Sequence, residues 1–104
     1  MRVNQHGRPS DYVRIVRNKI REKNHSQLLE ICLSGLEGAM VVACDTAQLL
    51  EHANVATVKS VETSRVMVES RYDSSTIARN LLQIILIERR TGGRNSDEVS
   101  FRDI

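Results

Sequence analysis

Gly35–Leu50 reads GLEGAMVVACDTAQLL, and the way this stretch must bury itself decides the architecture of the chain. From Glu37 to Glu51 there is no proline and one internal glycine, and the Ala and Leu content favours a helix. The apolar residues do not keep to one stripe: Ala39, Met40, Val41, Val42, Ala43, Cys44, Ala47, Leu49 and Leu50 cover most of the circumference. A helix that apolar has to be covered on more than one side. One side can lie on the domain's own sheet. The other calls for a partner subunit, or else for a larger monomeric core, and 104 residues offer few further elements to build one.

On the N-terminal side, Met1–Gln5 alternates and predicts a short first edge strand. His6-Gly7-Arg8-Pro9 is a loop, with Ser10 or Asp11 placed to cap the helix that follows. Tyr12 to Lys23 is helical: Tyr12, Val13, Val16 and Ile20 line one face with Ile15 at its margin, and Arg14, Arg17, Lys19 and Arg21 fill the rest. Gln27–Leu33 alternates as a strand, with Leu29, Ile31 and Leu33 on one face, and Ser34-Gly35 connects it to the apolar helix.

On the C-terminal side, Val55–Ser70 is a long extended segment rich in Val and Thr. Ser70–Ser75 carries turn chemistry. The final strand is marked at Leu81–Ile87, with Leu82, Ile84 and Leu86 on one face and Leu81, Ile85 and Ile87 on the other. A strand apolar on both faces is buried on both. Met40 and Val41 of the apolar helix, with Leu81, Ile85 and Ile87, are therefore the expected dimer interface. Residues 92–104 show no core pattern and read as a polar, disordered tail behind a single domain at 1–91.

Only Tyr12, Tyr72 and Phe101 are aromatic, so the core is aliphatic, and the composition argues against a site built by stacking bases on several rings. Cys32 and Cys44 sit in apolar runs with no CxxC and no histidine at ligand spacing, which points away from zinc and toward small buried thiols. No run approaches a membrane span and no signal-peptide pattern precedes the first strand, so a cytoplasmic, or also nuclear, location is expected. His6, His25 and His52 are isolated at element ends. No HExxH, phosphate-loop or nucleophile-elbow pattern is present, so the expectation is a protein that is not an enzyme and needs no cofactor or metal.

The net charge of +2 conceals segregation. Residues 1–23 hold seven Lys/Arg against two acids, a net of +5, and residues 24–64 hold one against five, a net of −4. Residues 65–94 hold six Arg against three acids, a net of +3, and the last ten hold one against three, a net of −2. Two basic blocks around an acidic middle make localised basic surfaces, and the excess of arginine over lysine suits phosphate. Solvated helix faces would give the same counts.

These features together resemble the Alba family, whose domain has the same β-α-β-α-β-β order. Arg2-Val3 with Gly7-Arg8-Pro9-Ser10-Asp11-Tyr12-Val13 is similar to the family's opening. Gly38-Ala39-Met40 and Ala43-Cys44-Asp45-Thr46-Ala47 resemble its second helix. Glu62-Thr63-Ser64 and Leu81–Ile87 match its closing strands. The resemblance spans about residues 2–90. It implies an α+β domain with two helices on a four-stranded mixed sheet and a long closing hairpin. It also implies a dimer, homo- or hetero-, that binds RNA or DNA through phosphates.

In the family, nucleic acid meets the loop before the first helix, the start of the second helix and the hairpin. Carried onto this chain, the first place is Arg8, which keeps the charge of the family's lysine but removes a target for acetylation. The third is the hairpin tip with Arg71, Tyr72 and Arg79. At the second place the chain departs from the family: Leu36, Glu37 and Val42 stand where basic residues are usual, and Glu37 has the wrong sign for phosphate. To these the residues themselves add a basic stripe, Arg14, Arg17 and Arg21, and the pair Arg89 and Arg90, which opens a short Arg-Gly segment ending at Arg94.

Two functions follow. One is a sequence-tolerant binder of RNA, preferred over DNA because an Arg-Gly tail is commoner in RNA-binding members of the family, acting in RNA metabolism or translational control. The other is a structural subunit that pairs with a more basic Alba paralogue, or with an assembly of the RNase P or RNase MRP type, which the resemblance also brings in.

Overall fold

The computed structural model describes residues 1–23, 26–70, 72–73 and 75–89. Pro9 opens the first helix, α1 (Pro9–Glu22), where its fixed φ suits the first turn and its missing N–H leaves no donor unsatisfied. The cap differs from expectation. Arg8, in extended geometry, is the N-cap residue, and its carbonyl accepts the Asp11 N–H at 3.0 Å. Ser10 and Asp11 are already inside the first turn, and Asp11 turns its carboxylate to Arg14 instead. Val16 is buried, Tyr12, Val13 and Ile20 are half-buried and Ile15 is exposed, as the helical pattern predicts.

The next strand, β1 (Glu30–Leu36), starts later than the alternation suggests and runs through Ser34-Gly35, which were expected to be a connection. Ser34 stays in the strand because its N–H donates to the Met1 carbonyl at 2.9 Å and its carbonyl accepts the Val3 N–H at 2.8 Å. Gly35 is needed here: a Cβ at this position would stand 2.7 Å from the Ala39 carbonyl oxygen, where the chain folds back on itself. A single 3-10 turn, Glu37–Ala39, leads into α2 (Met40–His52).

β2 (Ala56–Glu69) and β3 (Thr76–Glu88) form the closing hairpin, and β3 begins at Thr76 rather than Leu81. Among the described residues the sheet has three strands in the order β1-β3-β2, all antiparallel. The expected fourth strand is reduced to one parallel bridge between Arg2 and Ser34. After Val3 the Asn4 carbonyl accepts the Gly7 N–H, so the chain turns away before a ladder can propagate.

α2 settles on all three strands, and α1 packs mainly against α2. The buried stripe of α2 is Val42, Ala43, Thr46, Ala47 and Leu50, at helical spacing. The two alanines let the helix approach the sheet closely, and Thr46 satisfies its buried hydroxyl by donating to the Val42 carbonyl at 2.8 Å. Leu33, Leu50 and Leu86 lie fully buried between the layers, each worth about 1.5–3 kcal/mol in transfer terms. The core is aliphatic throughout. Cys32 is half-buried, but Cys44 lies exposed on the far side of α2, so the expectation of two buried thiols fails there.

Candidate nucleic-acid interface

β1 pairs with β3 only from Leu81 to Ile87, whereas β2 pairs with it from Thr76 to Glu88. Beyond Leu81 the two strands therefore continue alone as an arm, five residue pairs from Arg65↔Asn80 to Glu69↔Thr76. At about 3.3 Å per residue the arm reaches roughly 17 Å past the three-stranded sheet. Its side chains are exposed or half-buried: Met67 is 65% and Ile77 42% exposed.

The tip is a hydrogen-bonded turn. Asp73 Oδ1 accepts both the Ser75 hydroxyl at 2.7 Å and the Ser75 N–H at 3.0 Å, and the Ser70 N–H donates to the Ser75 carbonyl. The Ser75 hydroxyl and then its N–H hold the Asp73 carboxyl below its ordinary value, with help from Ser70. Tyr72 stands beside it, 95% exposed. Arg71 lies outside the described residues.

Arg79 lies on the arm next to the body, and its guanidinium reaches Glu37 at 3.3 Å. The acid that has the wrong sign for phosphate at the start of the second helix thus also offsets the one described hairpin cation that the sequence singles out. Sequence reasoning overlooked Arg65. It pairs with Asn80 on the other face of the arm, is exposed, and makes no ion pair among the described residues. Its signal was available: an arginine in the long Val55–Ser70 segment whose strand face, by alternation, carries Glu69 as its one acid.

At the base of α1, Arg8 is exposed and unpaired among the described residues. The loop before it is held by Tyr12, whose ring covers Gly7 and whose hydroxyl accepts the Asn4 N–H at 2.8 Å. Along α1 the stripe is not uniform. Arg14 is paired with Asp11 at 2.7 Å, while Arg17 has no partner among the described residues and Arg21 reaches only the neutral Asn18 at 3.3 Å.

Arg17 and Arg21 line a groove of about 280 Å³ with Ile20, Ala53, Asn54, Val55, Glu88 and Arg89. Its far wall is set by the end of α2. The Asn54 N–H bonds the Glu51 carbonyl and the Val55 N–H bonds the Leu50 carbonyl, with Asn54 in the left-handed region at φ 59°. Asn54 Oδ1 then accepts from Arg89 at 2.9 Å. Arg90 lies outside the described residues, as does the tail. A larger concavity of about 470 Å³, lined by Pro9, Asp45, Gln48, Leu49 and His52, carries no lysine or arginine.

The residues expected at a dimer interface come from two elements and do not share one element face. Val41 projects from α2 and is 66% exposed, while Met40 packs half-buried against the core. Leu81, Ile85 and Ile87 are half-buried on the side of β3 opposite the core residues Leu82, Ile84 and Leu86. Among the described residues no grouping of His, Cys, Asp and Glu suits a metal, and no helix is long and apolar enough to cross a membrane.

No family model and no curated protein matches the sequence. Solved structures do match the fold. The crystal structure of ALBA1 from Trypanosoma brucei superposes with a TM-score of 0.65 at 20% identity, covering 86% of this chain and 68% of that one. Alba from Thermoplasma volcanium superposes with a TM-score of 0.65 at 15% identity, covering 86% of this chain and 98% of that one. Identity this low speaks for the fold alone. By its two helices, its antiparallel sheet and its extended hairpin, this chain has an Alba-like fold.

Proposed function

We propose that this protein binds nucleic acid through phosphate contacts, with RNA as its main ligand, and acts as a dimer. The observation that carries the reading is the arm: an Alba-like domain projects a two-stranded hairpin beyond its sheet, with an exposed tyrosine at the tip and, along it, Arg65 without an ion pair among the described residues. An aromatic face and a guanidinium suit a base and a phosphate respectively. Arg8, Arg17, Arg21 and Arg89 extend the cationic surface over the body; Arg14 and Arg79 contribute less because each has a carboxylate beside it. Arg71 and Arg90 belong to the same proposal on sequence grounds. Dimerisation would cover Val41 and the outer face of β3. The protein acts by binding, not by catalysis.

The deciding experiment measures binding of the purified chain to a short single-stranded RNA and to a matched DNA duplex across a salt series. Arg8→Glu and Arg71→Glu/Arg79→Glu variants run alongside. Binding to RNA that weakens with salt and is lost in the variants supports the reading; a folded chain that binds neither at low salt overturns it.

The Glu37–Arg79 pair favours a second reading, in which the chain mainly docks a more basic Alba paralogue or a ribonucleoprotein scaffold. There the chain alone binds RNA weakly and sediments as aggregate or monomer until that partner is added.

A further inference from the structure

Cations on the body of this domain are not equivalent, and the difference is set by which carboxylates they can reach. In the groove between α1, the α2–β2 turn and the end of β3, three guanidiniums converge from separate places in the chain: Arg17, Arg21 and Arg89. None of the three has an acidic partner among the described residues. Arg21 and Arg89 bond only the neutral amides of Asn18 and Asn54.

Among the described residues the one acid lining the groove, Glu88, is already committed. Its side chain is 13% exposed, and its carboxylate sits 3.0 Å from the Lys23 ammonium and accepts the Leu29 N–H at 2.9 Å. Glu22 is exposed on α1 but does not line the groove. Among the described residues the groove thus holds an excess of positive charge that no carboxylate neutralises. It also has an apolar side, Ile20 and Val55, and the half-buried Lys23–Glu88 pair fastens α1 to the end of β3 beneath it.

We propose that this groove is a phosphate site, seating one phosphodiester of a single-stranded RNA at a place separate from the hairpin arm. The chemistry fits. Guanidinium forks bond phosphate oxygens in pairs, and two of them here stand one helical turn apart on α1 while the third comes from the strand end. The volume, about 280 Å³, lies just below the usual range for drug-sized ligands, so it takes a phosphate with part of its sugar rather than a whole cofactor. The role in RNA binding rests on the function proposed above, whereas the anion site itself does not.

The test compares three single substitutions that remove the same charge: Arg17→Gln and Arg89→Gln in the groove, and Lys19→Gln, exposed on α1 outside it. Binding of a short single-stranded RNA is followed across a salt series. Each groove variant should lose about threefold to tenfold in affinity, and the log–log salt slope should fall by about 0.7 for the phosphate lost. Lys19→Gln should lose less than about twofold. Equal losses in all three variants mean diffuse charge only and overturn the groove while leaving RNA binding standing. In a second arm, inorganic phosphate is titrated into the wild-type chain while the arginine Nε–H resonances are followed. If the wild type binds no RNA but the Arg17, Arg21 and Arg89 resonances move together and saturate, the proposed function falls and the groove survives as a site for free phosphate. No response in either arm overturns both.

Discussion

The hairpin arm and the α1 groove are both basic by sequence, yet the structure treats their arginines differently. On the arm, Arg79 is drawn to Glu37 across the junction with the body, which leaves Arg65 as the described arm cation without an acid. In the groove, the available acid is taken up by Lys23, so Arg17, Arg21 and Arg89 have no compensating carboxylate among the described residues. The two regions differ in mechanical support as well. The groove stands on a strand end whose neighbour Leu86 is fully buried, whereas the arm is two strands with exposed faces. A count of basic residues therefore says where charge is dense; the neighbouring carboxylates decide where it is usable.

The sharpest way to break this comparison is through stability. Leu86→Ala should cost about 2–5 kcal/mol in urea unfolding and loosen the strand end that carries Arg89. Ile77→Ala, on the arm, should cost below about 1 kcal/mol. Comparable losses at the two positions would mean that the arm is as firmly packed as the body, as it would be under a covering partner chain. A smaller effect is expected from Glu37→Gln, which releases Arg79: RNA affinity at low salt should rise about twofold to fivefold, in line with an exposed ion pair. An unchanged or weaker affinity would show that Arg79 does not face the ligand.

Replacing the arm arginines one at a time sharpens the contrast further. Arg65→Gln should weaken RNA binding about twofold to threefold more than Arg79→Gln, because only the latter is already neutralised. The reverse order, measured by fluorescence anisotropy, would make the Glu37 pair irrelevant. The smallest effect is at the tip. The bonds from Ser75 hold the folded Asp73 carboxyl below its unfolded value, so their contribution is present above the unfolded value and is lost as pH falls through the lowered one. An NMR titration should place the Asp73 midpoint below the ordinary aspartate range, and Ser75→Ala should raise it; a midpoint at the ordinary value would mean an open tip.

Much of the fold could be read from the residues because periodicity is local. The buried alternation Leu82, Ile84, Leu86 and the α1 stripe through Val16 follow from the strand and helix repeats alone. The opening strand could not be read the same way. Arg2-Val3-Asn4 alternates like a strand, yet whether a ladder forms depends on how long the chain stays beside β1, and here it leaves after one bridge. The cap of α1 was misplaced for a related reason: Ser10 and Asp11 both suit an N-cap, but Pro9 fits the first turn and moves the cap back to Arg8.

For the candidate site, the sequence located the basic segments and the turn at Ser70–Ser75 but not the state of each charge. Glu37 and Arg79 are 42 residues apart, and Arg17 meets Arg89 only because α1 and the end of β3 border one groove. By itself, then, the sequence determined the two helices, the closing strands and their apolar faces, since those depend on neighbours two to four residues away. Beyond the local Asp11–Arg14 pair, tertiary structure decided which arginines are neutralised, because an ion pair depends on distance in space, and the chain brings its distant carboxylates to some cations and not to others.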